Sequence, residues 1–154
     1  MPGKKYSKYV ISNPDFEDPT KMAHHDGVDP SLVKDLTKPW HVYISGKMLP
    51  EANIFCNIGW VWGEPYPNDP MLDAHKHPYN ELIYFIGANY EDVTDLGAEV
   101  EFWLGEGDDA EKFVFNTTTL IYVPKGLVHA PFRYLKIKRP SILIAVSLDT
   151  PEYC

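Results

Sequence analysis

The residues of this sequence best suited to chemistry are two histidines and a glutamate that lie within seven positions. His75 and His77 are two residues apart, and residues i and i+2 of an extended strand point to the same face, so both imidazoles can reach one point. Glu81 comes after residues 78–80, Pro-Tyr-Asn, which favour a turn and allow the chain to present the carboxylate at that point. Imidazole nitrogens and carboxylate oxygens are ligands of first-row transition metals. The spacing therefore predicts a metal site, although two histidines on one strand face also fit a polar surface.

The elements that would position these side chains are short strands. From Trp40 onward the sequence has about eight apolar segments of strand length, separated by turn signals, and no long helical pattern. Examples are the segments 54–62, 82–86, 99–104 and 142–147. This pattern predicts an all-β protein, an antiparallel sandwich or barrel. The absence of an internal repeat predicts one barrel rather than two.

Residues 1–39 differ from the rest because they are polar and interrupted by prolines. Within them, Asp29 is suited to an N-cap and Pro30 to the first position of a short helix over 29–36. We therefore divide the chain into an N-terminal arm, 1–39, and a barrel domain, 40–154. The arm is expected to pack either on its own barrel or on a neighbouring subunit.

Charge and composition argue against several classes of function. The formal net charge is −8 and the basic residues are scattered, so no cationic patch is available to contact a phosphate backbone. No apolar run approaches the length of a membrane span, and the basic N-terminus is not followed by the apolar segment of a signal peptide. The two cysteines, Cys56 and Cys154, have no CxxC partner. We expect a cytoplasmic protein that binds neither nucleic acid nor a membrane.

The sequence resembles the cupin superfamily over about residues 50–148. The first motif of that superfamily is matched by His75, His77, Glu81 and Gly87, and the second by Pro124, Gly126 and His129. Both motifs occur in the expected order, with strand-like sequence between them. The resemblance implies a single-domain antiparallel jelly-roll barrel and a homodimer. It also implies that a metal is held by three histidines and one glutamate, His75, His77, His129 and Glu81.

Arg133 occupies a position where the second motif usually carries asparagine. On a regular strand His129, Pro131 and Arg133 share one face, so the guanidinium is expected to point into the same cavity as the metal. Its planar set of donors suits a substrate carboxylate bound through two hydrogen bonds. The alternative is a salt bridge with Glu101 or another acidic residue at the mouth of the barrel.

Aromatic residues supply candidates for the remainder of the pocket. Trp62, Phe85 and Phe102 are expected to form walls that contact the substrate, with plain core packing as the alternative. Tyr122 is a candidate catalytic proton donor, although the sequence does not determine which way its side chain faces.

The implied ligand set constrains the chemistry. Three neutral imidazoles and one carboxylate leave a divalent ion with one net positive charge and, in an octahedral shell, two open positions. We expect one divalent transition metal, iron or manganese in the first place, with zinc, nickel or cobalt as alternatives. Such a site suits a metal-dependent enzyme of the dioxygenase, isomerase or decarboxylase type that acts on a small carboxylate or carbonyl compound. A non-catalytic cupin that binds or senses a small molecule is the alternative.

Overall fold

The computed structural model describes residues 6–12, 15–16, 40–63 and 72–152, and these residues form nine strands in two sheets. The strands are β1 (Asp15–Phe16), β2 (Trp40–Ile44), β3 (Ile54–Val61), β4 (Asn80–Gly87), β5 (Asp95–Leu104), β6 (Glu111–Thr117), β7 (Thr119–Val123), β8 (His129–Ile137) and β9 (Ser141–Leu148). Short 3-10 turns lie at Ser7–Tyr9 and Gly107–Asp109. The predicted all-β antiparallel barrel is confirmed. The predicted helix over 29–36 lies outside the described residues.

The two sheets face each other. The larger sheet has the strand order β1-β2-β3-β9-β4-β7 and the smaller has the order β6-β5-β8, with every pair antiparallel. Residues 72–75 extend the smaller sheet beside β8, through bridges that join Leu72 to Phe132 and His75 to His129. The chain then enters β4 of the larger sheet. The first histidine motif therefore lies where the chain passes from one sheet to the other.

Alternating side chains fill the space between the sheets. In β4 the buried positions include Glu81, Ile83 and Phe85, and in β5 they include Phe102. The ring of Phe85 packs edge-on against that of Phe102, with ring centroids 6.1 Å apart, and Phe102 stacks on Phe132 at 5.8 Å. These rings form part of the hydrophobic core between the sheets.

Gly87 ends β4 at a point of close approach between two backbones. A Cβ atom built on Gly87 would lie 1.9 Å from the carbonyl oxygen of Asp95. No side chain fits there, because such a separation is far shorter than any non-bonded contact. This contact explains why the first motif ends in glycine.

Part of the N-terminal arm lies on the chain's own barrel, because Asp15–Phe16 pairs with β2 at the edge of the larger sheet.

The face of the larger sheet that points away from the smaller sheet carries no charged side chain in β3, β4, β7 and β9. We call this surface the outer apolar face. It comprises Ile54, Ile58, Trp60, Leu82, Tyr84, Ile86, Leu120, Tyr122, Ile142, Ile144, Val146 and Leu148. Among the helices of the described segments, none has the length and apolar character needed to cross a membrane.

Candidate metal centre

His75 and His129 lie side by side because their backbones pair. The amide of His75 donates to the carbonyl of His129 at 3.0 Å, and the amide of His129 donates back to the carbonyl of His75 at 2.9 Å. Directly paired residues of an antiparallel ladder project to the same face. The two imidazole centroids are accordingly 4.2 Å apart. Backbone pairing thus joins the first histidine of one motif to the histidine of the other.

His77 is held by the turn of the second motif. The amide of Gly126 donates to the carbonyl of His77 at 2.9 Å, and the amide of Lys125 donates to Oδ1 of Asn80 at 2.9 Å. Gly126 has φ +80°, a left-handed conformation that favours glycine. The imidazole of His77 also stacks on the ring of Tyr79, with centroids 4.7 Å apart and planes 8° from parallel. The second turn and Tyr79 together orient His77.

The three histidines converge on one point. One nitrogen from each of His75, His77 and His129 lies within 4.8 Å of the others. Metal–nitrogen bonds are about 2.1 Å long, so a single ion placed among these atoms lies near bonding distance of all three. This cluster could therefore hold a metal ion.

Glu81 brings a carboxylate beside two of these histidines. Its Oε2 lies 3.2 Å from Nε2 of His129 and 4.0 Å from Nε2 of His77. All three side chains are buried, at 3% exposure or less. A carboxylate removed from water to this degree requires a cationic or hydrogen-bonding partner.

The backbone selects the tautomer that a metal needs. Nδ1 of His75 lies 2.7 Å from the carbonyl of Asp73, and Nδ1 of His129 lies 3.2 Å from the carbonyl of Leu127. A carbonyl oxygen only accepts, so each Nδ1 carries the hydrogen and donates it. Nε2 then has its lone pair directed to the cluster, which is the arrangement found for most metal-binding histidines.

In His129 this tautomer places a lone pair 3.2 Å from a carboxylate oxygen of Glu81. Two acceptors at that distance repel each other unless a cation lies between or beside them, either a proton or a metal ion. The donor set of neutral imidazoles and one carboxylate fits a divalent transition metal. The residues present thus fit the metal implied by the sequence.

The expectation that Arg133 shares a face with His129 is wrong. In the β5–β8 ladder Leu104 pairs with His129 and Phe102 with Phe132, so β8 has one extra residue between these pairs. Such a bulge shifts the alternation by one position. Phe132, and not Pro131, therefore shares the inner face with His129. Arg133 lies on the opposite face, where its Nε is 3.3 Å from Oε1 of Glu101. That ion pair is the alternative given above.

The other predicted pocket residues lie apart from the histidines. Tyr122 is exposed and pairs with Leu82. The next pair along these strands, Val123 with Glu81, points inward. The side chain of Tyr122 therefore lies on the outer apolar face and points away from the histidine cluster. Trp62 follows the fully buried Val61 and is itself exposed.

Phe85 and Phe102, the two remaining predicted wall residues, are fully buried in the aromatic core. Their position agrees with the core-packing alternative. Their rings contact other core side chains, including Phe115 and Phe132.

Sequence reasoning did not identify Asn57 and Ser147, which are buried polar residues of β3 and β9. Ser147 pairs with Phe55 of β3 on one side and with Glu81 of β4 on the other, so it belongs to the inner face. Asn57 alternates with the buried Phe55 and is also on the inner face. The available signal was a polar residue at an inward position of an apolar strand, which is uncommon without a partner.

No protein-family model matches the sequence, and no curated protein matches it either. Solved structures do match. The structure of Fe(II)-HppE with the alternative substrate (S)-1-HPP matches with a TM-score of 0.55 and 16% identity, over 90% of this chain and 58% of that chain. A structure of FeII HppE matches with a TM-score of 0.51 and 18% identity, over 90% of this chain and 66% of that chain. Oxalate decarboxylase from Bacillus subtilis at pH 4.6 matches with a TM-score of 0.51 and 15% identity, over 78% and 27%.

These proteins are longer than this chain, which spans 58% of the first HppE chain and 27% of the oxalate decarboxylase chain. At such low identity the likeness concerns the fold. HppE and oxalate decarboxylase both have the cupin fold. This chain shares their strand arrangement, and its two histidine motifs meet at the bridge between His75 and His129. This chain therefore has the cupin fold.

Proposed function

We propose that this chain binds one divalent transition metal through His75, His77, His129 and Glu81 and acts as a metal-dependent enzyme on a small oxygen-containing compound. The observation that carries the proposal is the buried contact of 3.2 Å between Nε2 of His129 and Oε2 of Glu81. Because Nδ1 of His129 donates its hydrogen to a carbonyl, the contact between Nε2 and the carboxylate is favourable when a cation is present.

Iron(II) is the first candidate for the metal and manganese the second. Mixed imidazole and carboxylate ligation suits both, and the matching HppE structures contain iron(II), as their descriptions state. When bound, the ion supplies a Lewis acid and, in the case of iron, a redox centre with positions left for substrate.

The residues of the chain contribute orientation and exclusion of water. The carbonyls of Asp73 and Leu127 fix the rings of His75 and His129, and the ring of Tyr79 fixes that of His77. The inner face beyond Glu81 includes Ile83 and the aromatic core, and the carboxylate is almost completely buried. Electrostatic interactions between a bound substrate and this site are correspondingly stronger than in water.

The proposal is tested by a turnover assay with protein loaded with iron(II) or manganese(II), against a panel of small keto, enol and hydroxy acids. We expect turnover of at least one member of the panel and its loss in His77→Ala. Lys76→Ala is the matched control, because Lys76 lies between the two histidines but is exposed. Tight binding of panel compounds without turnover would instead support a binding or sensing protein.

A further inference from the structure

Two buried polar side chains beside the metal centre have no assigned role. Asn57 is 3% exposed and Ser147 is 0% exposed, yet Oδ1 of Asn57 and Oγ of Ser147 have no hydrogen-bond partner among the described residues. Buried polar atoms are nearly always satisfied, so an exception calls for an explanation such as a bound ligand.

The register of the strands places this pair next to Glu81. Ser147 of β9 is directly opposite Glu81 of β4, and such pairs have Cβ atoms about 5 Å apart on the same face. Asn57 is opposite Ala145, two residues before Ser147, so it is the diagonal neighbour of Ser147 on the inner face. Glu81, Ser147 and Asn57 thus form a continuous polar strip across three adjacent strands.

The strip borders space inside the barrel. Ala145 points inward from a central strand, between Asn57 on one side and Ile83 on the other. Although both of these neighbours are buried, Ala145 itself is partly exposed. Its small side chain therefore leaves an accessible space next to the strip. A compound that reached from the metal centre along the strip would enter this space.

The charge distribution determines what kind of group fits the strip. The described strands contain three cationic side chains, and each is paired with a glutamate of β5. These are Lys112 and Arg133, which contact Glu101, and Lys136, which contacts Glu99. Glu101 and Glu99 alternate with the buried Val100 and lie on the outer side of the smaller sheet. No cation of the described strands is available inside to neutralise a second anionic group, whose burial would be unfavourable.

We propose that Asn57 and Ser147 form a recognition pair that hydrogen-bonds an uncharged hydroxyl or carbonyl group of the substrate. The inference rests on the proposed function, because the other end of the substrate is bound at the metal centre. The substrate class is a small hydroxy or keto acid with one anionic group. A dicarboxylate is disfavoured.

The test compares three probes on the manganese(II)-loaded protein by isothermal titration calorimetry, after a metal titration has established occupancy. The probes are glycerate, lactate, which lacks the distal hydroxyl of glycerate, and tartronate, in which a second carboxylate takes the place of the hydroxymethyl group of glycerate. We expect glycerate to bind about tenfold more tightly than lactate and tartronate, as expected for one or two hydrogen bonds. Ser147→Ala and Asn57→Leu are expected to reduce the preference for glycerate over lactate to about twofold or less, with metal affinity unchanged.

Ser141→Ala is the matched control. Ser141 lies on the same strand and is also fully buried, but it pairs with Gly87 at the other end of β9. It is expected to leave the preference unchanged. Thermal denaturation adds a second readout, because removing an unsatisfied buried polar group is expected to keep or raise the Tm in Ser147→Ala and Asn57→Leu.

A wild-type protein that binds metal but prefers tartronate, or shows no preference for glycerate, overturns the inference alone. So does a preference that survives in both variants, or one that Ser141→Ala reduces equally. Absence of metal binding in the wild type overturns the proposed function and this inference with it.

Discussion

Nε2 of His129 lies 3.2 Å from Oε2 of Glu81, and both side chains are almost completely buried. The two residues come from strands of different sheets, β8 and β4. Their contact therefore forms only when the barrel closes. Because the hydrogen on His129 is directed to the carbonyl of Leu127, the contact is a position where a positive charge is required.

Replacing the carboxylate of Glu81 directly tests whether a positive charge is required at this contact. In Glu81→Gln we expect metal affinity to fall on the order of 100-fold, since breaking a buried charged contact costs about 3 kcal/mol. The metal-free variant is expected to be at least as stable as the wild type, because the amide of Gln can donate to Nε2 of His129. Metal titration and thermal denaturation measure the two effects. Glu99→Gln, on the outer side of the smaller sheet, is the control, and an equal loss of affinity there would contradict the assignment.

The contact between the two motif turns is expected to affect both stability and metal binding. Asn80→Ala removes the acceptor of the Lys125 amide, which costs about 1 kcal/mol of unfolding free energy. Because the same turn hydrogen-bonds the backbone of His77, metal affinity is expected to fall about tenfold, as for other groups that orient ligands. Urea denaturation and metal titration measure the two effects. Asn116→Ala, at an exposed position of β6, should change neither.

Gly87 is expected to tolerate no side chain. Gly87→Ala forces the backbone away from Asp95 and should lower the unfolding free energy by about 2–3 kcal/mol, as measured by urea denaturation. Gly107→Ala is the comparison, because a Cβ there meets nothing within 4 Å and the cost of about 1 kcal/mol comes from its φ of +61°. If the two variants were equally stable, steric approach would not explain the motif glycine.

The outer apolar face leads us to expect a homodimer. Large exposed apolar patches commonly bind another protein, and a second copy of the same face is uncharged as well. Leu120→Lys is expected to shift the protein from dimer to monomer in light scattering. Val114→Lys is the control, because Val114 is 53% exposed, much like Leu120 at 52%, but belongs to the smaller sheet. A dimer that persists in Leu120→Lys would place the interface elsewhere.

Much of the fold and the histidine cluster could be predicted from the sequence because both depend on local patterns. The i, i+2 spacing of His75 and His77 and the turn before His129 are visible in the sequence, and the structure brings these side chains together. Gly87 and Gly126 also occupy positions with clear backbone reasons, a close approach and a positive φ.

The errors have physical causes that the sequence does not display. Unbroken strand alternation places Arg133 on the inner face, whereas the bulge after His129 reverses that alternation. Tyr122 was ambiguous because β7 is short and has apolar residues on both faces. The role of Ser147 depends on its register against Glu81, a non-local pairing that one strand's sequence does not determine.

The most direct test of the metal site is calorimetric titration of manganese(II) into metal-free protein under reducing conditions, with wild type, His129→Ala and His41→Ala compared. His41 pairs with Ile58 on β3, away from the cluster, and controls for the loss of a histidine. We predict one ion bound per chain in the wild type and in His41→Ala, and a loss of affinity of at least about 100-fold in His129→Ala. A wild type that binds no ion, or a His129→Ala variant that binds it equally well, would contradict the account.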